Sequence, residues 1–170
     1  GGLSLHGGLI GVIVSLYVYS YQHKISFLRL ADSICVAMPI GLGMVRIGNF
    51  LNGELYGRPT DGTWGFIFPT DPYGYTRHPS QLYEAFFEGL FLFILLRFIA
   101  SKNNKHGVIS GSFLLAYGLI RFFIEYFRQP DSHMGFVALQ LSMGQLLSIP
   151  MVIIGLILLR KSLRRNEAIS

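Results

Sequence analysis

The sequence predicts an all-α polytopic membrane protein, five transmembrane helices carrying a small outward-facing cap. Three observations predict it. Half of the residues are hydrophobic (51%), only 14% are charged, and the mean hydropathy is +0.47, a balance foreign to ordinary globular chains. The apolar residues gather into five runs long enough to cross about 30 Å of hydrocarbon, which takes roughly 20 helical residues. Lysine and arginine are distributed unequally between the two sets of connecting segments.

In chain order the runs are Leu5 to Tyr21, Leu30 to Phe50, Gln81 to Ala100, Val108 to Phe127 and Leu141 to Arg160. The second is diluted by Asp32, Pro39 and several glycines, a composition common where helices pack closely. Lys24 and Arg29 follow the first run, Arg97, Lys102 and Lys105 separate the third from the fourth, and RKSLRR follows the fifth. Five alternating crossings put all of these on one face, the inside by the positive-inside rule. The outside then keeps Arg46, Arg58, Arg77, Arg121 and Arg128, with no lysine.

Arginine presents a fixed fork of donors that grips phosphate or carboxylate at two points, which a lysine point charge does not do. Two readings of the outer arginines stand side by side. They snorkel to lipid headgroups and anchor helix ends, or they line a site; five together favour a site.

The whole chain, 1–170, reads as one integral-membrane domain, with 51–80 an extracytoplasmic cap insertion and 161–170 a polar tail expected to fray. Within 51–80, turn signals at PTDG, FPTDP and YGY flank the short apolar stretch WGFIF, so an ordered cap with one short hairpin is expected. Trp64, Phe66, Phe68, Tyr73 and Tyr75 also suit an aromatic belt at the membrane surface. Cys35 lies alone in the second run and reads as a small buried apolar residue. GGLSLHGG lacks the basic and small-residue features of a signal peptide.

Mapping polar residues by depth brings one level into relief. His6 lies at the outer end of the first run, and Arg46 and Asn49 near that of the second. His78, Gln81 and Glu84 open the third, with His78 expected to cap it. Tyr117, Arg121, Glu125 and Arg128 occupy the outer half of the fourth; Ser142 and Gln145 open the fifth. Tyr117, Arg121 and Glu125 are spaced i, i+4, i+8 and share one helix face, with Arg128 close to that line. Each charge at such depth costs about 2.5 to 3.5 kcal/mol on insertion scales, so the stripe needs partners or a wet cavity. Arg121 and Glu125 as a private ion pair is one alternative; it satisfies only part of a guanidinium's five donors.

No metal-ligand spacing such as HExxH occurs, and there is one cysteine, so no metal and no other cofactor is expected. A GxSxG nucleophile elbow is absent as well, and nothing suggests a nucleic-acid partner. His6 is the best candidate for a general base at that level. What remains is an outward cavity with several arginines and a histidine, suited to an anionic headgroup.

RIGNFLNGELYGRP (Arg46 to Pro59), HGGLIG (His6 to Gly11), HPSQLYE (His78 to Glu84) and YGLIRFFIEYFRQPD (Tyr117 to Asp131) resemble, in that ordered set, the bacterial prolipoprotein diacylglyceryl transferases. The resemblance covers almost the whole chain. Val45 departs from it, since the family signature usually has glycine before the arginine; tighter packing is expected there. The resemblance implies about seven spans in a complete protein, residue 1 falling just before the third.

It also implies a transferase in the bacterial cytoplasmic (inner) membrane with its site facing the periplasm or cell exterior. The reaction implied is transfer of the diacylglyceryl group of phosphatidylglycerol to the thiol of the lipobox cysteine in a prolipoprotein signal peptide, releasing glycerol 1-phosphate. On this resemblance His6, Arg46 and Arg121 are the catalytic candidates, His6 as thiol base or as an orienting group. Arg46 and Arg121 would stabilise the leaving phosphate; Asn49, Glu54, Tyr117, Glu125 and Arg128 complete the substrate-binding set. The rival reading is a membrane transporter or binding protein for an anionic solute, but inverted repeats and a midplane site, the usual marks of transporters, are not found in the sequence.

Overall fold

The computed structural model describes residues 5–129, 136–138 and 141–164, with backbone alone for 5–9, 136–138 and 141. Its helices are α1 (Leu5–His23), α2 (Phe27–Leu51), α3 (Ser80–Glu84), α4 (Leu92–Lys102), α5 (Val108–Ile124) and α6 (Met143–Arg164). A π-helical segment, Ala85–Phe91, joins α3 to α4 without a break, so the described helices form five rods that coincide with the five apolar runs. By length and hydropathy, α2 and α6 qualify as membrane spans, and α5 is a shorter apolar helix.

Boundaries follow local chemistry. At the end of α2 the Asn52 and Gly53 amides donate to Gly48 and Phe50 carbonyls, and Gly53 takes φ +67°, the left-handed glycine that commonly closes a helix. The start of α5 is capped from another helix. Asp32 of α2 accepts the Gly107 amide at 2.6 Å, the Ser110 amide at 2.8 Å and the Ser110 hydroxyl at 2.5 Å. That carboxylate satisfies amides a helix leaves without internal partners. It also explains why α2 tolerates an aspartate.

Depth alone places Ser142 and Gln145 among the polar groups of the outer level. They form a reciprocal capping box instead: the Ser142 amide donates to Gln145 Oε1, and the Gln145 amide to Ser142 Oγ. The helix they open runs to Arg164, so 161–164 are helical where fraying was expected; 165–170 lie outside the described residues.

Packing is inverted relative to a globular interior. Ile10, Val14, Met44, Ile94, Ile154 and many other large apolar side chains are exposed, whereas Glu84 and Glu88 are buried. The apolar core is small, centred on Leu92, Leu96 and Phe113. Outward apolar faces around buried charge are the pattern of helices solvated by lipid; this is a membrane protein. α5 and α6 touch backbone to backbone, since a Cβ on Gly155 would lie 2.6 Å from the Leu115 amide nitrogen.

The cap contains the expected hairpin, with β1 (Phe66–Ile67) antiparallel to β2 (Thr76–Arg77). β3 (Phe136–Ala138) and β4 (Leu141–Ser142) form a second, unpredicted pair before α6. The cap is clamped to the end of α5 at Gly57: its amide donates to the His78 carbonyl, and the Arg58 amide to the Phe127 carbonyl. A Cβ on Gly57 would meet those two acceptor oxygens at 2.7 and 2.5 Å; no larger residue fits without moving backbone.

Candidate functional site

The site begins where two backbones touch. Gly43 of α2 faces Gly89 of the π segment so closely that a Cβ on Gly89 would lie 2.8 Å from Gly43 Cα. Arg46 stands one turn beyond Gly43 toward the cap, and Glu88 and Glu84 stand beside and one turn beyond Gly89. The two glycines therefore bring an arginine of one helix against two carboxylates of another. α5 adds Arg121, and the segment after it adds Glu125 and Arg128.

Glu84 is the hub. Its Oε2 lies 3.0 Å from Arg46 Nε, and its Oε1 lies 2.6 Å from Arg121 Nη1 and 3.5 Å from Arg128 Nη1. Arg121 also reaches Glu125 Oε2 at 3.1 Å. Glu88, one turn deeper, repeats the bridge at longer range: 3.8 Å to Arg46 Nε and 3.6 Å to Arg121 Nη1. Glu84 and Glu88 are 1% and 0% exposed, so these charges act on one another with little screening by water. Hydrogen bonding is nonetheless incomplete. Glu84 Oε2, both Glu88 oxygens and Glu125 Oε2 are buried without a hydrogen-bond donor among the described residues.

Arg121 and Glu125 are therefore not a private pair but part of a network across three rods. α5 ends at Ile124, so Glu125 is its C-cap. Arg128 lies beyond the helix, in a backbone bridge to Gly57. Tyr117 stacks on Phe113, ring centroids 5.6 Å apart, within electrostatic reach of Glu88, Arg121 and Arg46. Asn49 and Glu54 contribute backbone: the Glu54 amide donates to the Asn49 carbonyl, and Gln81 Nε2 to the Glu54 carbonyl. Among the described residues neither side chain joins the ion network. The backbone of His6 is in α1; its side chain lies outside the described part.

Two further expectations are corrected. His78 does not cap α3 with its side chain, because Pro79 is the N-cap residue. The His78 ring instead meets the Tyr83 hydroxyl at 3.3 Å, which also accepts Trp64 Nε1 at 2.8 Å. Val45 is not tightly packed; it is 60% exposed, pointing away from the crossing that Gly43 makes.

The outer arginines divide into two groups. Arg77 grips Asp71 with Nε to Oδ2 at 2.7 Å and Nη2 to Oδ1 at 3.0 Å, and donates to Gln129 Oε1. This pairing holds the Asp71 carboxyl below the usual carboxylate range. Arg58 donates to the Arg128 carbonyl at 2.9 Å. These two staple the cap, and Arg46, Arg121 and Arg128 belong to the network. A cavity of about 660 Å³, lined by Glu54, Tyr56, Asp71, Arg77, Arg128 and Gln129 among others, joins the groups through Arg128.

Sequence reasoning placed Glu84 at the right level without giving it a role, and missed Glu88. The signal was present: they are the two acidic residues of the third run, spaced i, i+4, where an intramembrane charge is a functional hypothesis by default.

A family model described as "Prolipoprotein diacylglyceryl transferase" matches residues 1–160. Relatives named phosphatidylglycerol--prolipoprotein diacylglyceryl transferase include those of Chlorobaculum tepidum, 50% identical over 98% of this chain and 57% of the relative, and Photobacterium profundum, 50% identical over 94% and 59%. A third, from Rickettsia bellii, is 51% identical over 95% of this chain and 62% of the relative. The chain thus spans about three fifths of the length of these curated relatives.

Proposed function

This chain belongs to the prolipoprotein diacylglyceryl transferase family, and we propose that the protein it represents transfers the diacylglyceryl group of phosphatidylglycerol to the lipobox cysteine of a prolipoprotein. The single observation that carries the reading is the convergence of Arg46, Arg121 and Arg128 on one buried carboxylate, Glu84, in a chain of this family. A guanidinium cluster in a water-poor site is suited to a phosphate whose negative charge grows in the transition state.

In the proposed reaction the cysteine sulfur attacks the glyceryl carbon that bears the phosphate. A sulfur to carbon bond forms as the carbon to oxygen bond breaks, and glycerol 1-phosphate departs with both bonding electrons. The thiol proton passes to a base, for which His6 is the candidate, and ends on the departing phosphate or in solvent. A thiol with pKa near 8.5 needs such a base or a positive field to become the nucleophile. Arg46 and Arg121 stabilise the leaving phosphate, Glu125 orients the Arg121 guanidinium, and Asn49, Glu54, Tyr117 and Arg128 complete the lipid-binding set. Five crossings, a cap at 51–80 and a site facing the periplasm or exterior of a bacterial cytoplasmic membrane complete the reading. It is supported by the basic residues at the membrane end opposite the cap.

The test supplies the full-length enzyme with phosphatidylglycerol and a lipobox peptide, and follows glycerol phosphate release together with the peptide's mass gain. Cysteine-dependent transfer is expected; its absence sinks the enzyme reading. Arg46→Lys should lose most of the rate if a two-pronged grip is needed, whereas an unchanged rate would reduce Arg46 to a point charge.

A further inference from the structure

Glu88 is in an unusual position even within this network. It is wholly buried, both its oxygens lack a hydrogen-bond donor among the described residues, and its two ion-pair distances, 3.6 Å to Arg121 and 3.8 Å to Arg46, exceed hydrogen-bonding range. A buried carboxylate held this way is costly and calls for an explanation. Geometry alone does not supply one, because Glu84, one turn nearer the cap, already makes the short contacts to the same two arginines. What Glu88 adds is a second carboxyl group beneath them, at the narrow crossing of Gly43 and Gly89 and on a π segment, an irregularity frequent at functional sites.

With Glu88 the cluster holds three arginines and three carboxylates, Glu84, Glu88 and Glu125; without it, the arginines carry an excess positive charge. Resting on the transfer reaction above, the phosphate at this site arrives as a singly charged diester and leaves as a monoester that ionises further. An unattenuated arginine cluster would hold the product more tightly than the substrate and delay its release. We propose that Glu88 is a fixed counter-charge that acts through Arg46 and Arg121 to weaken their hold on the phosphate monoester product, so that glycerol phosphate leaves after each turnover. Glu88 is a positioning residue in this scheme: it acts on the guanidiniums across 3.6 and 3.8 Å and is assigned no part in binding the substrate.

The experiment compares wild type, Glu88→Gln and Glu88→Asp in the full-length enzyme, with sn-glycerol 1-phosphate added as inhibitor. Removing the charge should lower the inhibition constant about ten-fold, about 1.4 kcal/mol, with KM for phosphatidylglycerol and kcat falling together. The aspartate, whose carboxylate is drawn back from the arginines, should shift the inhibition constant the same way by a smaller factor. A merely structural glutamate would weaken inhibition or leave it alone, and either result overturns the proposal. If the glutamine variant does not accumulate, the aspartate variant decides by the same sign. Failure of both to accumulate assigns Glu88 to folding and likewise overturns it. Loss of lipid-dependent transfer in wild type is a separate outcome, which strikes the reaction assignment first.

Discussion

Arginine and carboxylate meet in two places in this molecule, in the cap and among the helices, and the two meetings are built differently. In the cap, Arg77 and Asp71 form a closed unit: two short parallel hydrogen bonds, further acceptance of the Tyr73 and Tyr75 amides by Asp71, and the guanidinium carbon 4.7 Å above the Tyr56 ring. Among the helices, three arginines crowd three carboxylates at distances from 2.6 to 3.8 Å, and several buried oxygens lack hydrogen-bond donors. A satisfied pair has little to offer a ligand. The network instead shares its guanidiniums among several carboxylates, so none of its arginines is closed on a single partner as Arg77 is.

The comparison breaks most sharply at Arg121. Arg121→Gln should lower turnover by about 10²- to 10³-fold while the cap's resistance to protease is kept. A loss under ten-fold would make the helix network as structural as the cap pair. Gly57→Ala tests the joint between the regions. The new methyl is directed at two backbone oxygens, so a cost of about 1 to 3 kcal/mol is expected, read as faster proteolysis of the segment 52–79.

Arg77→Lys retains charge but loses the fork and should cost about 2 kcal/mol of cap stability. Turnover per folded molecule should stay within a factor of two or so of wild type; a large fall would move Arg77 into the site. The smallest effect is that of acid. The Asp71 pKa is depressed in the folded state, so its contribution is fully present above the unfolded value near 3.9 and is lost as pH falls through the lower folded value. Limited proteolysis at decreasing pH should therefore show cap loosening beginning below about pH 4, and Asp71→Asn should remove that dependence.

Much of this was legible in advance. The five rods follow their apolar runs, and the i, i+4, i+8 stripe of Tyr117, Arg121 and Glu125 marked a face that needed partners. The identity of those partners was not legible. Glu84 and Glu88 could be seen as charges inside an apolar run, but their meeting with Arg46 depends on the approach of Gly43 to Gly89 across 46 residues of chain. Ser142 and Gln145 misled in the opposite sense, because a capping box and a site lining use the same residue types. The five outer arginines looked like one population for the same reason: a fork of donors serves a cap carboxylate and a phosphate equally well.

By itself the sequence determined that the chain lives in lipid, which segments are helical, which end carries the arginines, and, through four ordered motifs, the family. These follow from composition and short-range periodicity, which the chain carries locally. The tertiary structure decided that Arg77 closes on Asp71 while Arg46, Arg121 and Arg128 share Glu84, and that Glu88 lies beneath them without close partners. Those outcomes depend on which helices cross at which glycines. In a low-dielectric interior a charge's role is set by distances of a few ångströms to groups far away in sequence.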